Sequence, residues 1–252
     1  MGFYDLEKEK RKEVVALVSA AIRSGIENKK SNAFIKYFSD EDTYIRKAAY
    51  LATGKIFNEQ KKLQAEILDQ LKQLSVHENE RIRQTVINAA GEIGKFDFGA
   101  VALFMEKGLF DEHHSVRNAV IGSIKKMGEK NPKPVLEFAA RYLDHPDKEI
   151  RREICHGIEL RGRIHPQDIL PLLKQLEFDT TARVKNTLIH VIGQISYKKG
   201  CLETVISHLK NWKNKDLVVK AFEEIIDVHD RYKDFAELTT DQATKYIEEH
   251  FK

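Results

Sequence analysis

Apolar residues return along this chain in two alternating kinds of run. One kind comprises Ile45, Ala49, Ala52 and Ile56; Ile82, Val86, Ala89 and Ile93; and Val116, Val120 and Ile124. It continues as Ile150, Ile154 and Ile158, then Val184, Leu188, Ile192 and Ile195. Steps of three and four residues predict amphipathic helices buried along one face. The other kind falls between them: Leu63, Ile67, Leu71 and Leu74; Val101, Phe104, Met105 and Leu109; Val135, Phe138, Ala139 and Tyr142; Ile169, Leu170, Leu173 and Leu176; Leu202, Val205, Ile206, Leu209 and Trp212. Each pair of runs predicts a helical hairpin whose apolar face is too large to bury alone, so neighbouring hairpins must stack.

The hairpins repeat. A β-branched residue followed by a basic one recurs as Ile45-Arg46, Ile82-Arg83, Val116-Arg117, Ile150-Arg151, Val184-Lys185 and Val219-Lys220, and the basic members stand 37, 34, 34, 34 and 35 residues apart. Four residues before them lie Asp42, Asn79, His113, Asp147, Thr181 and Asp216, mostly short polar side chains suited to capping a helix N-terminus. A fixed period of this size is the signature of a helical solenoid. Gly54, Gly91, Gly122, Gly157 and Gly193 fall on or near the second helices and are expected to mark close helix approach. The ends depart from the pattern. A charged run precedes Val14, Val18 and Ile22, the phase shifts to Val218, Phe222 and Ile225 near the C-terminus, and Thr240 is placed to cap a closing helix. Both ends are expected to offer the polar outer face that a capping unit needs. The expected fold is all-α, a right-handed α-α superhelix of about six hairpins forming one domain over residues 1–252, with capping helices at both ends.

The turns read D-E-D-T-Y-I-R, D-E-H-H-S-V-R and H-P-D-K-E-I-R, an Asp followed by a Val/Ile-Arg pair opening the second helix. In this they resemble the HEAT family of armadillo-like repeats over roughly residues 31 to 230. The resemblance implies that turn aspartates and helix-opening arginines bond between adjacent repeats. On that basis Arg46, Arg83, Arg117 and Arg151, with Asp42 and Asp147, are expected to form a structural ladder.

Composition narrows the classes. Five prolines and no Gly/Ser-rich tract give no linker, and no apolar run is long enough to span a membrane. The charged N-terminus lacks the apolar core of a secretory signal, so a cytoplasmic protein is expected. Cys155 and Cys201 lie on apolar stripes and read as core residues. Asp111-Glu112-His113-His114 reads as a solvated turn, so neither a metal site nor a cofactor is expected. The sequence carries none of the phosphate-loop, nucleophile-elbow or zinc-helix motifs.

Charge is distributed unevenly. The net charge is +3, yet residues 115–215 hold 19 basic against 11 acidic residues, whereas 216–252 hold 5 against 10. Lys125, Lys126, Arg161, Arg163, Lys198 and Lys199 all follow the second helix of their repeat. With Arg152 they form a candidate track for a phosphate backbone. The competing explanation is that cations favour helix C-termini. Asn131-Pro132, Arg151-Arg152 and Arg161-Gly162-Arg163 are similar to stretches of the HEAT-like DNA alkylation repair family, which implies DNA binding by this basic segment. Glycosylases of that family pair a catalytic Asp with lesion-cradling Trp residues. Trp212 is the single Trp here and falls on an apolar stripe, so no catalytic residue is carried over. The expected function is a non-enzymatic scaffold binding a macromolecular partner, a protein, on its concave surface. The alternative is a DNA-binding protein of the alkylation-repair type using residues 115–215.

Overall fold

The computed structural model describes residues 2–251, and every regular element in that range is helical. The chain divides into two compact units between Asn131 and Pro132. In the first, α1 (Lys8–Glu27) leads into α2 (Asn32–Phe38) and α3 (Thr43–Glu59), α4 (Gln64–Leu74) and α5 (Glu80–Gly94), and α6 (Ala102–Leu109) and α7 (His114–Lys130). In the second, α8 (Pro132–Ala140) precedes α9 (Lys148–Gly157), which runs through a joint at Ile158 into α10 (Glu159–Gly162). There follow α11 (Pro166–Leu173) and α12 (Ala182–Gln194), α13 (Cys201–Leu209) and α14 (Lys215–Arg231), and the closing α15 (Thr240–His250).

The second helices pack in series, α1 on α3, α3 on α5 and α5 on α7 in the first unit, and α9 on α12 and α12 on α14 in the second. In the second unit a parallel layer runs α11 to α13 to α15. This is a HEAT-like repeat of helical hairpins. The stripes read from the sequence supply its core: Ala49, Val86, Val120, Ile154 and Leu188 are fully buried, while Ile45, Leu63 and Phe104 are half-buried. Trp212 is buried too, its indole N–H donating to His208 Nδ1 at 2.9 Å, and Tyr197 stacks on Tyr232 inside the second unit.

One local motif opens most second helices. Asp42, Asn79, His113 and Asp147 cap α3, α5, α7 and α9, each side chain accepting the backbone N–H two residues on. Two residues before each cap, Asp40, His77, Asp111 and His145 accept the cap's own N–H at 2.8 to 3.1 Å. The arginine four residues after the cap then reaches back. Its Nη1 donates to both carbonyls of the turn: Asp40 and Glu41 for Arg46, His77 and Glu78 for Arg83, Asp111 and Glu112 for Arg117, and His145 and Pro146 for Arg151. One planar guanidinium thus satisfies two carbonyls that the helix cannot.

Between repeats, the carboxylates are different from those expected. Asp42 and Asp147 serve as caps, and the acceptors of the crossing bonds are Asp111 and Asp179. Arg83 grips Asp111 with Nε at 2.8 Å and Nη2 at 3.0 Å, and Arg151 Nε meets Asp179 at 2.6 Å. The residue before the cap's neighbour is therefore the rung, because it sits at the top of the turn facing the preceding repeat. Where that position is His77, Arg46 stays on its own turn and on Thr43 Oγ1.

The ends deviate in ways the periodicity only partly carries. Val218 is buried and Val219 exposed, the phase shift expected of α14, but Asn214 rather than Asp216 caps it. Lys220 replaces the arginine there, and Glu177 closes the turn instead, accepting the amides of Lys213 and Asn214. Thr239, not Thr240, caps α15, in a capping box with Gln242. The exposed side of α1 is not wholly polar, since Val15 and Leu17 lie open there.

A methyl added at Gly91 would meet Ser123 Oγ at 2.5 Å, and one at Gly193 would meet Glu224 Cγ at 2.5 Å, whereas at Gly122 nothing lies within 4 Å. Close approach thus accounts for Gly91 and Gly193 but not Gly122. Gly122→Ala should stabilise the protein by about 1 kcal/mol through helix propensity, while Gly91→Ala should destabilise it, both read as urea midpoints. The rungs make stability depend on pH. Burial opposes ionisation of Asp111, yet the Arg83 guanidinium and the His113 amide hold its carboxyl below the ordinary 3.8. At Asp179 burial again opposes ionisation, and Arg151 with the Thr181 amide outweighs it to hold the carboxyl down. A depressed folded-state value contributes stability above the ordinary value that is lost as pH falls through the folded one. Melting temperature should therefore drop below about pH 4, and the drop should be shallower in an Arg83→Ala/Arg151→Ala variant. At neutral pH Arg83→Ala alone should cost roughly 3 kcal/mol by stranding a nearly buried carboxylate. Arg46→Ala, which strands none, should cost about 1 kcal/mol.

Candidate functional site

The exposed stripe of each second helix is set by what its buried stripe leaves over. In the first unit, α3 turns Tyr44, Lys47, Leu51 and Lys55 outward at steps of three and four. Beside them the chain before α1 folds back, Phe3 N–H donating to the Asp42 carboxylate at 2.6 Å. This brings three rings together: Tyr4 and Tyr44 meet edge to face at 4.3 Å, and Phe3 stacks on Tyr44 at 5.9 Å. Arg11 lies over Tyr4 at 4.9 Å. The result is an open groove of about 380 Å³ between α1 and α3, floored by Tyr44, Leu51 and Val15 and flanked by Lys47 and Lys55. Nothing in the periodicity announced it, because the aromatic dipeptide Phe3-Tyr4 lies outside the repeat.

Further along the same unit, Lys126 sits 5.5 Å from the Tyr50 ring centre and 3.7 Å from Glu92. Lys95 is also bonded to Glu92, which is nearly buried. Burial, followed by the Glu92 charge, pushes the Tyr50 hydroxyl up. Lys125 is half-buried next to Lys126.

In the second unit the arginines of the candidate track are engaged with acids. Arg152 pairs with Glu149 at 2.9 Å, Arg161 with Asp168 at 2.6 Å and Arg163 with Glu159 at 2.6 Å. Glu159 is essentially buried, and Arg163 also donates to Gln194 at 2.7 Å. Arg183 reaches Glu149 from α12 at 2.9 Å. Lys198 and Lys199 lie beyond α12, half-buried and exposed respectively. The second-helix faces of both units therefore carry mixed charge. Trp212 and Tyr197, the aromatics interleaved with the basic segment, are core residues.

Sequence reasoning missed one cluster. His156, Glu159 and His190 place ligand-capable atoms within 4.8 Å of one another. His156 and His190 line, with Arg152, Arg183, Asn186 and Thr187, an open cavity of about 330 Å³. The available signal was the repeat itself, since His156 and His190 are 34 residues apart. Asp111-Glu112-His113-His114 does behave as a turn, with Asp111 on Arg83 and His113 as cap. Cys155 and Cys201 are buried, and burial pushes both thiols up. Among the described residues no helix is long and apolar enough to cross a membrane.

No family model and no curated protein matches the chain. Among solved structures, it is similar to YibA of Escherichia coli at 16% identity and TM-score 0.45, covering 97% of this chain and 88% of that one. It is similar to an archaeal HEAT-like repeats protein from Thermococcus onnurineus at 14% identity and TM-score 0.41, covering 94% and 97%. A computationally designed armadillo repeat protein for modular peptide recognition aligns at 16% identity and TM-score 0.37, covering 77% of this chain and 98% of that one.

Proposed function

We propose that this helical-repeat protein is a non-catalytic scaffold that binds a protein partner through the exposed faces of its second helices. The groove between α1 and α3 carries the reading. It offers aromatic and aliphatic contact area at Tyr4, Tyr44, Leu51 and Val15, set between the ammonium groups of Lys47 and Lys55. Such a surface suits an acidic segment that inserts apolar anchors, since aromatic contacts supply most of the energy and flanking cations set orientation. The mixed charge of the remaining faces supports the same reading. A nucleic-acid track needs unspent cations and flat stacking platforms. Here Arg152, Arg161 and Arg163 each hold a carboxylate and the interleaved aromatics are buried.

Peptide display against the full chain tests this. Selected sequences should be rich in Asp and Glu around an aromatic or Leu anchor, and Leu51→Asp should weaken them about tenfold or more. Labelled duplex DNA at about 50 and 200 mM salt is the contrasting probe. Micromolar DNA binding that falls steeply with salt and is lost on charge reversal at Lys198 and Lys199 would replace the protein partner with DNA.

A further inference from the structure

We propose that the second unit binds a divalent transition-metal ion through His156, Glu159 and His190. The three side chains come from two neighbouring second helices. His156 and Glu159 are one helical turn apart, which puts their side chains on one face, and His156 Nε2 lies 3.1 Å from Glu159 Oε2. That separation is what two adjacent ligands of one ion require when each bond is about 2.0 to 2.2 Å long. His190 approaches from α12, and the three ligand atoms all lie within 4.8 Å of one another. Drawing them to about 3.4 Å, the edge of a tetrahedral site, asks for side-chain adjustment on the order of an ångström. His190 is the most exposed of the three, with 41% of its side chain open.

The surroundings are built as a metal site's are. Arg163 holds Oε1 of Glu159 at 2.6 Å, which fixes the carboxylate and leaves Oε2 turned towards His156. Nδ1 of His190 lies 3.3 Å from Glu224 Oε1 on α14, so an N–H donated there leaves Nε2 as the ligand atom. A carboxylate behind a ligating histidine is the usual means of fixing its tautomer and orientation. The charge balance also allows a cation. The ion pairs around the cluster bring four guanidiniums, from Arg152, Arg163, Arg183 and Arg231, against five carboxylates. Two imidazoles and one carboxylate select borderline ions such as Zn²⁺ over Mg²⁺ or Ca²⁺, which prefer all-oxygen shells. The fourth position opens onto the 330 Å³ cavity, where water or an acidic group can complete the shell.

The test is Zn²⁺ binding by the full chain in competition with a chromophoric chelator, with the Zn²⁺-dependent melting temperature as a second readout. One ion per chain is expected, with Mg²⁺ and Ca²⁺ failing to compete. His190→Ala and His156→Ala should each abolish the tight site, and Glu224→Gln should weaken it by about ten- to a hundredfold. His113→Ala, remote from the cluster in the sequence and serving as a cap, should leave affinity unchanged. All variants are checked for native helicity, and His190→Ala, at a half-exposed position, keeps the test informative should His156→Ala unfold. Absence of stoichiometric Zn²⁺ binding, or binding that survives both histidine substitutions, would overturn the site and leave two stacked His–Glu pairs.

Discussion

The closed turn between the two helices of a hairpin is the constraint on which this fold depends. A hairpin can present its apolar face to the next only if the second helix leaves the turn at a fixed angle. Capping by Asp42, Asn79, His113 and Asp147 fixes where each helix starts, but not how the preceding chain approaches it. The arginine four residues on supplies that second restraint by holding two turn carbonyls with one nitrogen. Because the guanidinium is planar and carries five donors, its other edge remains available, and Arg83 and Arg151 use it to reach the next repeat. Lysine lacks that fork. At the last hairpin, where Lys220 stands in the arginine's place, the restraint passes to Glu177, which grips the turn from the preceding repeat.

The helices and their buried faces were legible in the sequence because they are local. A stripe such as Val184, Leu188 and Ile192 is written within a dozen residues, and hairpin stacking follows from the impossibility of burying it otherwise. Pairings across repeats were much less legible. Whether an arginine bonds the capping residue of the next turn or the residue two before that cap, as Arg83 does with Asp111, depends on which side of the turn faces the preceding repeat. Gly91 and Gly122 lie one helical turn apart in register on successive helices, eight and five residues after the opening arginine, and only Gly91 lies under a neighbour's side chain. Caps were located to within a residue or two, as Thr239 and Asn214 show.

Net charge also reads differently once side-chain partners are known. Residues 115–215 are strongly basic by count, but a guanidinium already facing a buried carboxylate adds little to the outward field. Arg163 is the clearest case: its partner Glu159 is almost inaccessible, so the pair is internal chemistry within one helix turn rather than a surface cation. Charge density along a sequence is a guide to partners only after these internal pairs are removed.

A repeat of constant length also offers a way to assemble a site without a dedicated loop. Five residues after each helix-opening basic residue come Leu51, Asn88, Gly122, His156 and His190, and residue 224 lies one further period on. These are equivalent positions on successive second helices, so within one unit their side chains fall side by side by construction. Leu51 in that register floors an apolar groove, whereas His156, His190 and Glu224 form a polar chain running from α9 through α12 to α14. The backbone geometry is the same in both cases, and only the side chain at the shared position differs. Architecture so regular constrains where a site can form and leaves its chemistry to single residues, which is why the fold could be read from periodicity and the histidine cluster only from period and residue type together.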